Sequence, residues 1–126
     1  MIVVGVDPGT IRTGYGVVRK DGGRITRIDS GAIRLDREAP LGERLVVLER
    51  ALDAVLASAG PDEAAVEDLF FAKNAMSALK LGHARGVVLL PLARRDLPVS
   101  AYAPARVKRS IVGGGGAVKG QVQRVV

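Results

Sequence analysis

The sequence predicts a single α/β domain in which a mixed five-stranded sheet is flanked by helices. The element order β-β-β-α-β-α-β-α carries this prediction. Three successive strands favour antiparallel pairing, and strands that alternate with helices favour parallel pairing. With 126 residues, the chain is long enough for one domain with a real core and too short for two. We therefore treat residues 1–126 as one domain.

Three strands are expected in the first third of the chain. Residues 1–7 form a short apolar run rich in β-branched residues, which is typical of a buried strand, and Pro8-Gly9-Thr10 ends it. Residues 15–18 and 24–35 are two further strand candidates. Asp21-Gly22-Gly23 between them is a hairpin turn signal. These patterns predict three antiparallel strands in succession.

Helices and single strands alternate after residue 40. Pro40 begins the first helix and Gly60-Pro61 ends it. Its apolar face is spaced as in a helix and consists of Leu41, Leu45, Leu48, Leu52, Val55 and Leu56. A short strand follows at residues 64–68. Asn74 is a good N-cap for a second helix over residues 75–94, which Pro91 should kink or end.

The remaining elements are a fifth strand over residues 99–103, a helix over 105–112, a glycine loop at 113–116 and a helix from 117. The last helix is still running at Val126 and has no capping Gly or Asn. We therefore expect a domain that is truncated, with a C-terminal helix missing from this sequence.

Composition excludes several classes of protein. The chain has no cysteine, which excludes a disulfide scaffold, a zinc knuckle and a thiol nucleophile. Its apolar runs are short and no signal peptide is evident, so we expect a cytoplasmic protein without membrane contact. Residues 1–68 carry 9 Arg/Lys and 12 Asp/Glu, a net charge of −3. Residues 69–126 carry 10 Arg/Lys and one acidic residue, Asp96, a net charge of +9. The second half is typical of a surface that binds a polyanion, and a merely basic solvated surface is the alternative.

Two carboxylates are candidate metal ligands. Asp7 ends the first strand and Glu67 ends the fourth, so strand pairing could bring them together. The alternatives are an Asp that caps a turn and a solvated Glu at a sheet edge. Oxygen ligands without His or Cys select Mg²⁺ or Mn²⁺, and that chemistry normally serves phosphate esters. Asp68 should alternate to the opposite face of its strand.

Other residues are candidates for contacts with DNA or with a second helix. One of Phe70 and Phe71 could stack on a base, and core packing is expected for at least one of them. Lys73, Lys108 and Lys119 could each contact phosphate, and solvated surface charge is the alternative for each lysine. Small residues spaced by four on the second helix permit close approach of another helix or of a sheet: Ala78, Gly82 and Gly86. His83 is expected to be a packing or surface histidine.

Three stretches together resemble the RuvC family of Holliday-junction resolvases. They are DPGTIRTGYGVV, VEDLFFAKNAMSALKLGHARG and VKRSIVGGGGAVKGQVQ, and the resemblance covers essentially the whole chain. It implies an RNase H-like fold and a homodimer that nicks two opposed strands of a four-way junction in recombination and repair. It also implies Mg²⁺, with Mn²⁺ as a substitute and two ions in each complete active site. The RuvA-RuvB branch-migration complex is the implied partner.

The resemblance also implies roles for particular residues. Asp7 and Glu67 match catalytic carboxylates that bind metal. Phe70 matches an aromatic residue that contacts DNA near the cut, and Lys108 and Lys119 match basic residues tied to DNA binding and catalysis. The helix with the small residues matches the one at the dimer interface. The family completes its site with an acidic pair, sometimes His plus Asp, on a later helix, and this chain has no Asp, Glu or His after Asp96.

Two alternatives to a resolvase remain open from the sequence. One is a DNA-junction-binding module that is inactive because half the ligands are absent. The other is an actin-like kinase or ATPase domain, in which Asp7-Pro8-Gly9-Thr10 would bind phosphate, but neither a second phosphate loop nor an adenosine-binding segment is evident.

Overall fold

The protein is built on a five-stranded sheet. A computed structural model describes residues 1–68 and 74–102. The strands are β1 (Ile2–Asp7), β2 (Arg12–Asp21), β3 (Arg24–Arg34), β4 (Glu63–Glu67) and β5 (Val99–Tyr102), and the helices are α1 (Leu41–Ala59) and α2 (Ala75–Arg94). The predicted helix over 105–112, the glycine loop at 113–116 and the helix from 117 lie outside the described residues.

The strand order in the sheet is β3-β2-β1-β4-β5. The β1–β2 and β2–β3 pairs are antiparallel, whereas β4 runs parallel to β1 and β5 runs parallel to β4. This arrangement confirms the predicted mixed sheet of three antiparallel strands followed by parallel ones. It also makes β1 and β4 neighbours, which aligns the ends of the two strands that carry Asp7 and Glu67.

The core lies between one face of the sheet and the two helices. Alternate residues of β1 point into it, so Val4 and Val6 are fully buried, and Val66 of β4 is buried beside them. Leu52 of α1 and Val88 of α2 close this layer from the helix side and are also fully buried. The residues that alternate with these positions along β1 and β4, including Asp7 and Glu67, therefore point to the opposite face of the sheet.

Helix α1 begins and ends where the sequence predicts. Pro40 is its N-cap, and Gly60 ends it in the left-handed conformation with φ 58° and ψ 52°. The Gly60 amide donates a hydrogen bond of 2.9 Å to the carbonyl of Leu56. Glycine adopts this conformation without a Cβ penalty, which explains the stop.

Helix α2 runs past its proline. Asn74 caps the helix as predicted, since its Oδ1 accepts a 2.9 Å hydrogen bond from the amide of Ser77. The alternative that Pro91 ends the helix is wrong, because α2 continues to Arg94. Pro91 is buried in the core, and ion pairs to α1 from Arg94 (3.1 Å, to Glu49) and Arg95 (3.0 Å, to Asp53) lie at this end. Core packing in the last turn outweighs the hydrogen bond that the proline cannot make. Neither described helix is long and apolar enough to span a bilayer.

Candidate metal centre

Asp7 and Glu67 end adjacent parallel strands on the same face of the sheet. The β1–β4 register runs from the pair Val3 and Glu63 to the pair Val6 and Val66. Asp7 and Glu67 are the next residue on each strand, so their backbones lie about 4.8 Å apart, the usual spacing between strands. Both side chains are half-buried, and the Oε2 atom of Glu67 is buried. The fold thus brings together the two carboxylates that the sequence singled out.

The register that aligns the two carboxylates is fixed at the other end of the strands. The side chain of Asp62 accepts a 2.7 Å hydrogen bond from the amide of Ile2. The amide of Asp62 donates a second 2.7 Å bond to the carbonyl of Ile2. Asp7 and Glu67 each lie five residues beyond this pair (7 − 2 and 67 − 62). Because a shift of one residue would send one carboxylate to the other face, this clamp helps to define the site.

The side chain of Thr13, on β2, fixes the loop that follows Asp7. The Thr13 side chain is fully buried. Its Oγ1 accepts a 3.1 Å hydrogen bond from the amide of Gly9 and donates a 3.0 Å bond to the carbonyl of the same residue. Both backbone groups of Gly9 are therefore satisfied by one hydroxyl, and the turn that follows Asp7 has a single defined geometry.

Two further contacts fix the same loop. Arg44 of α1 donates from Nη1 to the carbonyl of Thr10 at 3.2 Å and from Nε to the carbonyl of Ala39 at 3.0 Å. A Cβ atom added at Gly9 would lie 2.2 Å from the carbonyl oxygen of Arg12, which leaves room for glycine alone. The backbone beside Asp7 is thus held by side chains of β2 and α1, the kind of support that a metal ligand needs.

The donor set suits a hard divalent cation. Two carboxylates offer oxygen ligands on one face, which is the ligand chemistry of Mg²⁺ and Mn²⁺. Within residues 1–68 and 74–102, no group of three or more His, Asp or Glu side chains comes together as a metal site. The described part of the chain therefore offers a pair of candidate ligands.

Comparison with known proteins decides the family. The family model for the crossover junction endodeoxyribonuclease RuvC matches residues 3–126. The chain belongs to the RuvC family. The crossover junction endodeoxyribonuclease RuvC of Sorangium cellulosum is 52% identical over 126 residues, which are 100% of this chain and 70% of the relative. That of Sphingopyxis alaskensis is also 52% identical and is matched over 81% of its length.

A solved structure agrees with the family assignment. RuvC of T. thermophilus, in complex with a Holliday junction substrate, superposes with a TM-score of 0.82 and 33% identity. The superposition covers 97% of this chain and 74% of that one. The RNase H-like fold predicted from the resemblance is confirmed, and the family membership decides against an actin-like kinase.

The other predicted residues are distributed as follows. The small residues Ala78, Gly82 and Gly86 lie on α2, and Gly86 is exposed. His83 is an exposed residue of α2, in agreement with the prediction of a packing or surface histidine. The predicted DNA-contacting residues Phe70, Lys73, Lys108 and Lys119 lie outside the described residues.

Sequence reasoning missed three residues that position the candidate site: Thr13, Arg44 and Asp62. Thr13 could have been found, because it shares the core-facing side of β2 with Val17 and is a short polar residue at the buried end of that row. Arg44 and Asp62 carry no such signal. Each bonds a residue that is distant in sequence, by 34 and 60 positions respectively.

Proposed function

We propose that the chain is a structure-selective endonuclease that resolves four-way DNA junctions by paired, metal-dependent nicks that leave 5′-phosphates. Its proposed role is in homologous recombination and DNA repair. The observation that carries this proposal is the alignment of Asp7 and Glu67 on adjacent strand ends. Support for the substrate comes from the similar T. thermophilus RuvC, which has been solved with a Holliday junction. From the resemblance we further propose the cytoplasm as its location and the RuvA-RuvB complex as a partner.

Asp7 and Glu67 are proposed to hold Mg²⁺, with Mn²⁺ as a substitute and two ions in the complete site. The bound metal would neutralise charge on the scissile phosphate and lower the pKa of the attacking water. The role of the protein is to hold the two carboxylates at a fixed spacing. The Thr13 hydroxyl and the Arg44 guanidinium keep the chain beside Asp7 from moving, and the Asp62 clamp keeps Glu67 opposite it.

Nicking of a synthetic four-way junction in the presence of Mg²⁺ tests the proposed ligands. Asp7→Asn removes one negative ligand without removing a phosphate contact. It should abolish nicking and leave junction binding within about twofold of the unchanged protein. Asp36→Asn, on an exposed loop residue, is the matched control and should nick normally. Retained nicking by Asp7→Asn would rule out its role as a ligand.

A second candidate function is that of a DNA-junction-binding module that cuts poorly. The resemblance implies two acidic ligands besides Asp7 and Glu67, and without them the protein should bind the junction and cut it poorly. Gel-shift and nicking assays on the same preparation separate the two functions. Robust cutting by the 126 residues alone would show that Asp7 and Glu67 need no further ligands from this polypeptide.

We also propose that α2 forms the interface of a homodimer. Its outer side, opposite the buried Ala84 and Val88, exposes Met76 (60%), Leu79 (59%) and Leu90 (50%). Gly82 and Gly86 beside this apolar stripe lack side chains that would keep a second helix away. A twofold axis through this face would give two carboxylate pairs in one particle, as paired nicks require.

Light scattering after gel filtration tests the dimer. Leu79→Asn and Leu90→Asn together should convert a dimer of about twice the chain mass into a monomer. Ile28→Asn is the control, because Ile28 is a similarly exposed apolar residue (45%) on β3. A double variant that stays dimeric would place the interface elsewhere.

A further inference from the structure

The β2–β3 hairpin is strongly basic within an otherwise acidic half of the chain. Residues 12–34 carry six Arg/Lys and two Asp/Glu, a net charge of +4. The rest of residues 1–68 carries three Arg/Lys and ten Asp/Glu, a net charge of −7. The six cations are all exposed: Arg12, Arg19, Lys20, Arg24, Arg27 and Arg34.

A β-bulge directs part of this charge to the face that carries the carboxylates. Ser30 pairs with Gly16 and Arg27 pairs with Val18, with a register shift between Val17 and Val18. Residues three apart on a regular strand point to opposite faces, but the bulge brings Arg27 to the same face as Ser30. On β2, Gly16 shares its face with Gly14, which pairs with Asp7. Arg27 and Ser30 therefore lie on the Asp7 side of the sheet.

Arg12 joins them from the start of β2. It lies two residues before Gly14 and so shares its face. Arg12, Arg27 and Ser30 line a shallow pocket of about 250 Å³, whose remaining lining residues are Gly31 and Ala32. Arg27 donates to the Ser30 hydroxyl from Nε at 3.1 Å and from Nη2 at 2.8 Å, which orients its guanidinium over the pocket. Within the described residues, neither arginine forms an ion pair with a carboxylate.

We propose that this pocket binds a backbone phosphate of the DNA, outside the cleavage site. Two guanidinium groups without carboxylate partners, together with a hydroxyl, match the chemistry of a phosphodiester oxygen pair. Strand β3 lies two strands from β1, about 10 Å away, so a phosphate bound there would be distinct from one held at the carboxylate pair. The inference rests on the proposed function. It extends the DNA-binding surface from the basic C-terminal half onto the hairpin.

The salt dependence of junction binding tests the pocket. The protein with Arg12→Gln and Arg27→Gln should bind a four-way junction roughly eightfold more weakly at 0.1 M salt, the contribution of one phosphate contact. The slope of log affinity against log salt should become shallower by about one. Arg50→Gln is the matched control, because Arg50 is exposed on α1, on the other side of the sheet. It should leave affinity and slope unchanged.

Two further comparisons make the outcomes separable. Arg27→Lys keeps the positive charge but loses the planar guanidinium. It should therefore keep the slope of log affinity against log salt and lose only part of the affinity for the junction. Urea unfolding should show equal stability for all variants, since both arginines are exposed. If the unchanged protein fails to bind the junction, the proposed function is wrong. If it binds and the double variant matches it in affinity and slope, the phosphate pocket alone is wrong.

Discussion

Replacement of Thr13 by valine should destabilise the protein and disturb the carboxylate pair. Valine has nearly the same shape, so the substitution removes the hydroxyl and little else. It leaves the amide and the carbonyl of Gly9 without the partners at 3.1 and 3.0 Å that they now have. A buried unpaired polar group costs about 1–3 kcal/mol. Because Gly9 is only half-buried and water reaches part of it, we expect a total loss of about 2–3 kcal/mol in the free energy of unfolding.

Urea unfolding followed by circular dichroism measures this loss. With a slope of about 2 kcal/mol per molar urea, the midpoint should fall by roughly 1–1.5 M. Thr13→Ser is the control, since it keeps the hydroxyl, loses one methyl group and should cost only about 1 kcal/mol. Nicking should fall more for valine than for serine, because the turn beside Asp7 loosens. If Thr13→Val proved as stable as Thr13→Ser, the hydroxyl would not hold the turn.

Three other substitutions test the loop after β1, the core-facing side of β2 and the clamp at Asp62. Gly9→Ala should reduce nicking and cost roughly 1–3 kcal/mol in urea unfolding, because its Cβ would lie 2.2 Å from the Arg12 carbonyl oxygen. Burial and the charge of Asp29 raise the pKa of Tyr15, so the free energy of unfolding should fall as pH rises above about 10. Urea unfolding at pH values from 9 to 11.5 should show that Tyr15→Phe lacks this fall in the free energy of unfolding. An equal fall in both proteins would refute the assignment of the effect to Tyr15. Asp62→Ala should cost about 1 kcal/mol and weaken Mg²⁺ binding, measured by calorimetry.

The limits of the helices and strands follow from patterns that are local in sequence. The helix limits at Pro40, Gly60 and Asn74 could be predicted because each depends on a conformation or a hydrogen bond within a few residues. The strand ends at Asp7 and Glu67 could be predicted from short apolar runs. That these ends lie side by side depends on β4 pairing with β1 and not with β3, a choice that the local patterns left open.

What the sequence does not reveal depends on contacts between distant residues. Nothing near Arg44 or Asp62 indicates that the partner is a backbone group of the first strand or of the loop that follows it. The bulge at Val17 and Val18 changes which face Arg27 occupies, and a strict alternation pattern would assign that face wrongly. Pro91 shows the opposite case, because a strong local signal to end a helix was overridden by burial of the same residue in the core.

The pairing of β1 with β4 also bears on the biosynthesis of a nuclease. Asp7 and Glu67 are 60 positions apart (67 − 7), with two strands and a helix between them. A nascent chain that has left the ribosome only as far as α1 carries one carboxylate of the pair and cannot assemble the centre. Long-range pairing of this kind is among the slower steps of folding. Under the proposed ligand roles, cutting activity depends on completed folding, because a fragment that ends within α1 lacks one of the two carboxylates.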